Sequence, residues 1–245
     1  MDPFWIAMAG LGAMLVVMVL EVPIGVAMGL TGIVGFAALT GAWAPAFSLV
    51  GTEIVDVFTS QTLVTIPLFL LMGGFAARAE MSRDMFNLAS AFLGHRRGGM
   101  AMATVLGCAG FGSICGSSLA TVGAFTNIAV PEMKRRGYSA ELTSGSVAAA
   151  GTLGILIPPS IVMIIYASLA DVSIIEMFAA AIIPSVIAVV LQLIAVYLYV
   201  LWKGDAVALG QRMGWRERGR EIVRSWAIIL LIFIIFAAFY GGIFT

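Results

Sequence analysis

A run of glycine and hydroxyl residues, Gly112–Ser118, interrupts an otherwise apolar part of this 245-residue chain. It lies inside the segment 98–131, which carries no charged residue. Glycine and serine weaken a helix and leave backbone groups without helical partners. In a membrane, such irregular backbone is tolerated where protein buries it or where it lines a watery cavity. The run therefore predicts a binding site. The alternative is a close-packing surface, because Gly112 and Gly116 have the G-x-x-x-G spacing.

A second interruption lies downstream and contains two adjacent prolines. Proline lacks an amide donor and forces an extended conformation on the residue before it, so the helix should break there. A simple proline kink would not gather further glycine and hydroxyl residues around it. We therefore expect a broken helix that faces the first run and carries these candidate site residues: Gly151, Thr152, Gly154, Pro158, Pro159 and Ser160.

Composition places both interruptions in a polytopic membrane protein. The chain is 61% hydrophobic and 11% charged, whereas a soluble domain carries about 25% charged residues. The net charge is zero, and no basic stripe points to nucleic acid. Cys108 and Cys115 lie in an apolar run without a CxxC spacing, so we interpret them as buried small residues rather than a metal or redox pair.

The positions of the basic residues predict the topology. All thirteen lysines and arginines fall into three clusters, within 78–97, 134–136 and 203–224. The segments 40–62 and 171–176 carry acids only. The positive-inside rule places the three clusters in the cytoplasm and the N-terminus on the outer side of the membrane.

This map predicts an all-α membrane domain over residues 1–245. Scaffold helices fill about 4–77, with spans at 4–20 and 22–40, a surface helix at 46–60 and a return span at 62–77. Two further spans are expected at about 177–201 and 225–244. A broken span is expected at about 140–170.

The segment of about 98–133 begins and ends beside basic clusters, so it must turn back on itself. With the turn at Gly112–Ser118, its arms 98–111 and 119–131 hold 14 and 13 residues. Such arms reach roughly 20 Å, short of the roughly 30 Å hydrocarbon core. The lengths favour a re-entrant hairpin, which enters and leaves on the cytoplasmic side, over two full spans.

The same map argues against an enzyme. A serine nucleophile needs a base within hydrogen-bonding reach. His95 is the only histidine, and it stands beside Arg96 and Arg97 on the predicted cytoplasmic side, away from the serines of the hairpin turn. We therefore expect no catalytic residue in this chain.

Longer strings carry a family resemblance. They are GHRRGGMAMATVLGCAGFGSICGSSLATVGAF, IAVPEMKRRGYSAELTSGSVAAAGTLGILIPPSIVMIIYA and SIIEMFAAAIIPSVI, within residues 94–190, with EVPIGVAMGLTG and TIPLFLLMGG upstream. Together they resemble the large permease subunit of tripartite ATP-independent periplasmic (TRAP) transporters, the DctM-like family. The resemblance covers nearly the whole chain.

The resemblance implies a sodium-coupled, elevator-type importer in the bacterial inner membrane. Its expected partners are a small four-helix membrane subunit and a periplasmic solute-binding protein. Its expected substrate is an organic acid, such as a C4-dicarboxylate, a sugar acid or an ectoine. Sodium is the expected coupling ion, and no other cofactor is implied.

By position, two sets of residues match the family's binding region. Those of the first hairpin tip are Ser113, Gly116, Ser117 and Ser118, and those of the facing unwound segment are Gly151, Thr152, Gly154, Pro158, Pro159 and Ser160. The resemblance makes Ser113 and Ser117 candidate sodium ligands.

Two features depart from the family pattern. Cys115 stands where a smaller or hydroxylated residue is expected. Family members consist of two inverted repeats, each with a hairpin, and this chain resembles only the first. We therefore expect a fragment, although a split permease or a pair of copies are alternatives. The alternative functions are a related ion-coupled carrier without a binding protein and an inactive membrane scaffold.

Overall fold

A computed structural model describes residues 3–203 and 213–241. Within these ranges the chain forms helices and no strands, which confirms the all-α prediction. The helices fall into two compact units, one ending at Gln61 and one beginning at Thr62. The single domain over 1–245 stays a prediction, and the segments 204–212 and 242–245 lie outside the described residues.

The first unit contains three helices of similar length, α1 (Pro3–Val19), α2 (Ile24–Thr40) and α3 (Trp43–Thr59). Each has 17 residues, which corresponds to about 25 Å. Their positions agree with the helices expected at 4–20, 22–40 and 46–60. α1 and α2 are apolar all round and leave most large side chains exposed, as lipid-facing helices do. The surface location of α3 stays a prediction.

The second unit contains ten helices in its described part. In chain order they are α4 (Gln61–Arg78), α5 (Met81–Leu93), α6 (Gly99–Cys115), α7 (Ser118–Arg135), α8 (Ala140–Gly151), α9 (Leu153–Leu156), α10 (Ile161–Leu169), α11 (Ile174–Lys203), α12 (Trp215–Arg224) and α13 (Trp226–Tyr240).

The α6–α7 hairpin forms the core of this unit. Almost every residue of α6 is buried, as expected of a helix that is apolar all round. Phe125 of α7 is fully buried, with its ring centroid 6.1 Å from Phe111 and 6.4 Å from Phe86. Phe86 belongs to α5, an amphipathic helix that packs along α6. The hairpin is therefore enclosed by protein rather than by lipid along most of its first arm.

The hairpin turn is shorter than we predicted. α6 continues to Cys115 and α7 begins at Ser118, so only Gly116 and Ser117 form the turn. The arms have 17 and 18 residues and reach roughly 26 Å. The arms are therefore longer than the predicted 14 and 13 residues, but they stay short of the roughly 30 Å hydrocarbon core, and neither is among the described helices that are long and apolar enough to cross it. The re-entrant assignment stays a prediction.

The predicted break after α8 is present. α8 and α9 together make a bend of 42° with α10, across the non-helical residues 157–160. α11 is long and apolar enough to cross a membrane by itself, and it is the one such helix in the described ranges. The span expected at 225–244 corresponds to α13, which bends by 61° from the charged helix α12.

Removing the Phe125 ring should destabilise the hairpin. Phe125→Ala leaves a cavity between α5, α6 and α7, and a buried Phe→Ala change costs about 3–5 kcal/mol. We expect a clearly lower melting temperature for the detergent-solubilised chain. Leu119→Ala on the same helix is the control, because Leu119 is 84% exposed. Equal melting temperatures for the two variants would contradict this core.

Candidate functional site

The hairpin turn contacts the break after α9. The Ile161 amide donates a hydrogen bond of 3.4 Å to the Gly116 carbonyl. Gly116 has a φ of +62°, which favours glycine. A Cβ at this position would also stand 3.0 Å from the Pro159 carbonyl oxygen. The turn thus needs glycine for both its conformation and its distance from the break.

A second close contact joins α6 and α9, one turn before Gly116 along α6. A Cβ on Gly112 would lie 2.7 Å from the Gly154 Cα atom, and a Cβ on Gly154 would lie 2.9 Å from the Ser117 carbonyl oxygen. Backbone therefore meets backbone here. The close-packing alternative considered for Gly112 is therefore present in the structure, and the partner of Gly112 is Gly154 of α9.

Ser160 carries an unsatisfied hydroxyl at this junction. The residue is fully buried, and its Oγ atom has no hydrogen-bond partner among the described residues. It stands at the N-terminus of α10 without making a side-chain cap. A buried hydroxyl without a partner is costly, so Ser160 keeps unused hydrogen-bonding capacity at this junction.

The serines of the hairpin differ in their availability. Ser113 is buried and donates its hydroxyl to the Gly110 carbonyl at 2.7 Å, which leaves its lone pairs as acceptors. Ser117 caps α7, because its Oγ accepts a 3.4 Å hydrogen bond from the Ala120 amide. Ser118 is the half-buried first residue of α7. Hydroxyl oxygens of this kind can contribute to a cation site without any formal charge.

The downstream set is brought together only in part. The prolines at 158 and 159 are buried, and they deny amide donors to the Gly154 and Ile155 carbonyls four residues earlier. Thr152, by contrast, is exposed and donates to the Ala149 carbonyl of its own helix at 2.7 Å.

Gly151 packs against α7 rather than against the hairpin turn. A Cβ on Gly151 would clash with the Val122 side chain, which lies beyond the first turn of α7. The unwound segment is therefore 157–160, shorter than the predicted 151–160.

Sequence reasoning missed two residues of α11 that hold the broken helix. Ser185 donates to the Leu156 carbonyl at 2.8 Å, and the Gln192 amide donates to the Ala149 carbonyl at 3.2 Å. The two donors, Ser185 and Gln192, are seven residues apart, and so are the two acceptors, Leu156 and Ala149. A spacing of seven residues is two helical turns, so the donors share one helix face and the acceptors share another. The signal was available, since a serine and a glutamine seven apart in an apolar span point to one interhelical contact.

The base of the hairpin is held by Tyr138. Its hydroxyl accepts a 3.1 Å hydrogen bond from the Met100 amide in the first turn of α6. Burial raises the pKa of the Tyr138 hydroxyl, so the group stays neutral at physiological pH. The two ends of the hairpin are thereby joined to each other without an ion pair.

Comparison with known sequences assigns the chain to a family. The sequence model described as "Tripartite ATP-independent periplasmic transporter, DctM component" matches residues 11–245. The chain belongs to this family. The resemblance seen in the motifs of the hairpin and the proline break is therefore confirmed.

Curated relatives agree with the DctM assignment. The chain is 35% identical over 230 residues to a C4-dicarboxylate TRAP transporter large permease protein of Vibrio cholerae, covering 93% of this chain and 49% of that protein. It is 38% identical over 185 residues to its Pseudomonas aeruginosa namesake, covering 75% and 43%. An ectoine/5-hydroxyectoine TRAP large permease of Ruegeria pomeroyi is 30% identical over 232 residues, covering 95% and 54%. The chain thus spans about half the length of these DctM relatives.

The contact between Gly112 and Gly154 should be sensitive to a single methyl group. Gly112→Ala places its Cβ against backbone, and overpacking of this kind costs about 1–3 kcal/mol. We expect a lower melting temperature in detergent. Gly145→Ala in α8 is the matched control, because a Cβ there meets nothing within 4 Å and alanine favours a helix by about 1 kcal/mol. A neutral Gly112→Ala would contradict the contact.

Proposed function

We propose that this chain is the N-terminal half of the large permease subunit of a TRAP importer that moves an organic acid across the bacterial inner membrane. Family membership over residues 11–245 supports the subunit assignment. Relatives named for C4-dicarboxylates and for ectoines support an organic-acid substrate. The coverage of about half of those relatives supports a partial permease.

The observation that carries the proposal is the buried hydroxyl of Ser160 beside the hairpin turn. Ser160 differs from other buried hydroxyls by its place, because its Cα atom lies 3.4 Å from where a Cβ on Gly116 of the hairpin turn would stand. The described part of this junction contains hydroxyls, carbonyls and no formal charge. Such a surface suits a cation that sheds its water, and it suits the carboxylate that accompanies the cation.

Sodium is the proposed coupling ion, with Ser113 and Ser117 as candidate ligands. Sodium is a hard cation that takes oxygen ligands, and both residues offer hydroxyl lone pairs at the hairpin tip. Ser117 and Ser160 are also the N-cap residues of α7 and α10. Helix N-termini carry partial positive charge, which favours a substrate carboxylate nearby.

The wider architecture belongs to the same proposal. We propose that the α6–α7 hairpin is re-entrant from the cytoplasm, that the N-terminus is periplasmic and that the chain is the first of two inverted repeats working by an elevator mechanism. A small membrane subunit and a periplasmic solute-binding protein are the proposed partners. The basic residues at both ends of the hairpin support the orientation. We propose no catalytic role for any residue.

Uptake in proteoliposomes tests the transport function. The complete permease that contains this chain is reconstituted with its small subunit and binding protein, and uptake of a labelled organic acid is followed with and without a sodium gradient. Sodium-driven uptake that needs the binding protein supports the proposal. Uptake without the binding protein favours the alternative carrier, and no uptake of any organic acid favours the inactive scaffold.

Ser160→Ala should separate a binding role from a structural one. Removing an unsatisfied hydroxyl should leave the melting temperature unchanged or raise it. Loss of one ligand should nevertheless raise the sodium concentration needed for half-maximal uptake about tenfold. Ser90→Ala is the matched control, because the Ser90 hydroxyl is also buried without a partner but lies on α5. Uptake unchanged in Ser160→Ala would remove this residue from the site.

Substitutions on either side of the junction should affect uptake more than one in the core. We expect Ser117→Ala and Pro159→Ala to lower the uptake rate strongly, because the first removes a candidate ligand and the second restores an amide donor at the break. Cys108→Ala is the control, since Cys108 is buried within α6. Equal effects of all three substitutions would contradict the site assignment.

A further inference from the structure

A charged helix connects two apolar ones near the end of the chain. α12 has four arginines and two glutamates in its 10 residues, and none of its residues is fully buried. α13 is apolar from its first turn and leaves α12 at an angle of 61°. The change from charged to apolar residues at Ser225 is typical of a helix in the membrane surface followed by one that enters the hydrocarbon core.

One side of α12 is occupied by α5. Arg224 forms a 3.3 Å ion pair with Asp84, and the Ser225 hydroxyl donates to the Asp84 carbonyl at 3.3 Å. The Arg218 guanidinium lies 5.5 Å from the centroid of the Phe92 ring. These contacts fix the rotation of α12 about its own axis, so its opposite side must face away from α5.

That opposite side carries arginines without acidic partners. At about 100° per residue, Val223, Arg216 and Arg220 fall within about 60° of each other. Trp215 lies about 80° from Val223 around the helix. It is 82% exposed and its ring contacts the Arg218 guanidinium, 5.3 Å from the ring centroid, and Val223 is 70% exposed. We call these four residues the basic arc. Within the described part of the chain, neither Arg216 nor Arg220 forms an ion pair.

The two glutamates of α12 do not neutralise the basic arc. The Glu217 carboxylate turns back to accept a 3.0 Å hydrogen bond from the Gly214 amide. The Glu221 side chain is half-buried, and one of its carboxylate oxygens is shielded from solvent. The exposed side therefore presents two guanidinium groups beside an indole and an isopropyl group.

We propose that the basic arc binds the headgroups of anionic phospholipids. Arginine matches the geometry of a phosphate with paired donors. Tryptophan favours the headgroup level of a bilayer, and valine favours the acyl boundary beneath it. An acidic protein segment would satisfy the guanidinium groups but would not account for the exposed apolar side chains beside them. The proposal is independent of the transported substrate.

Brominated lipids test this proposal at one residue. In a variant with Trp215 as the one tryptophan, the other four are replaced by phenylalanine. The chain is placed in vesicles of a fixed mixture of phosphatidylglycerol and phosphatidylcholine, with bromine on the acyl chains of one lipid or the other. We expect phosphatidylglycerol to be enriched around Trp215, as measured by stronger quenching. Arg216→Gln with Arg220→Gln should lower this enrichment about tenfold, as should high salt.

Two matched variants keep the test specific. Arg216→Lys with Arg220→Lys retains the charge and should retain most of the enrichment. Arg96→Gln with Arg97→Gln removes the same charge from an exposed loop and should leave quenching of Trp215 unchanged. Equal quenching by the two lipids would overturn the proposal. A loss that is equal in the loop variant and the α12 variant would also overturn it.

Discussion

Backbone amides and carbonyls inside an apolar protein must find partners within the protein, and the second unit is organised by this constraint. It has two places where a helix stops deep among apolar residues, the turn after α6 and the unwound residues 157–160. The structure brings them together, so that the Ile161 amide reaches the Gly116 carbonyl. α11 then supplies side-chain donors to carbonyls of the broken helix. Each interruption is stabilised by the presence of the other.

The same constraint explains why the junction is polar without being charged. A formal charge at this depth would carry a large desolvation cost. Hydroxyls and carbonyls cost less and can be satisfied locally, as Ser113 and Thr121 are by carbonyls of their own helices. Charged side chains are found instead at helix ends, for example in the Glu132–Arg136 and Glu141–Lys203 pairs. The charged side chains of these pairs therefore lie at helix ends, and the junction is polar but neutral.

The sequence predicted the existence of the hairpin and the break but not their extents. Gly112 and Ser113 weaken a helix in isolation, yet here they remain helical because α9 packs against the first and Gly110 accepts from the second. That outcome depends on residues some forty positions away, which local propensity does not contain. α5 was missed for a different reason, because its short amphipathic pattern lies inside the first basic cluster, 78–97, which was interpreted only as a topology signal.

The contact between Gly112 and Gly154 has a geometric consequence for the pair of helices. One turn away from Gly112 stand Cys108 and Gly116, and one turn away from Gly154 stand Ala150 and Pro158. Sliding α9 by a turn along α6 would set a side chain or a proline ring against backbone at this spacing. The two elements thus share a single register, and they are expected to travel as one rigid body whenever either of them moves.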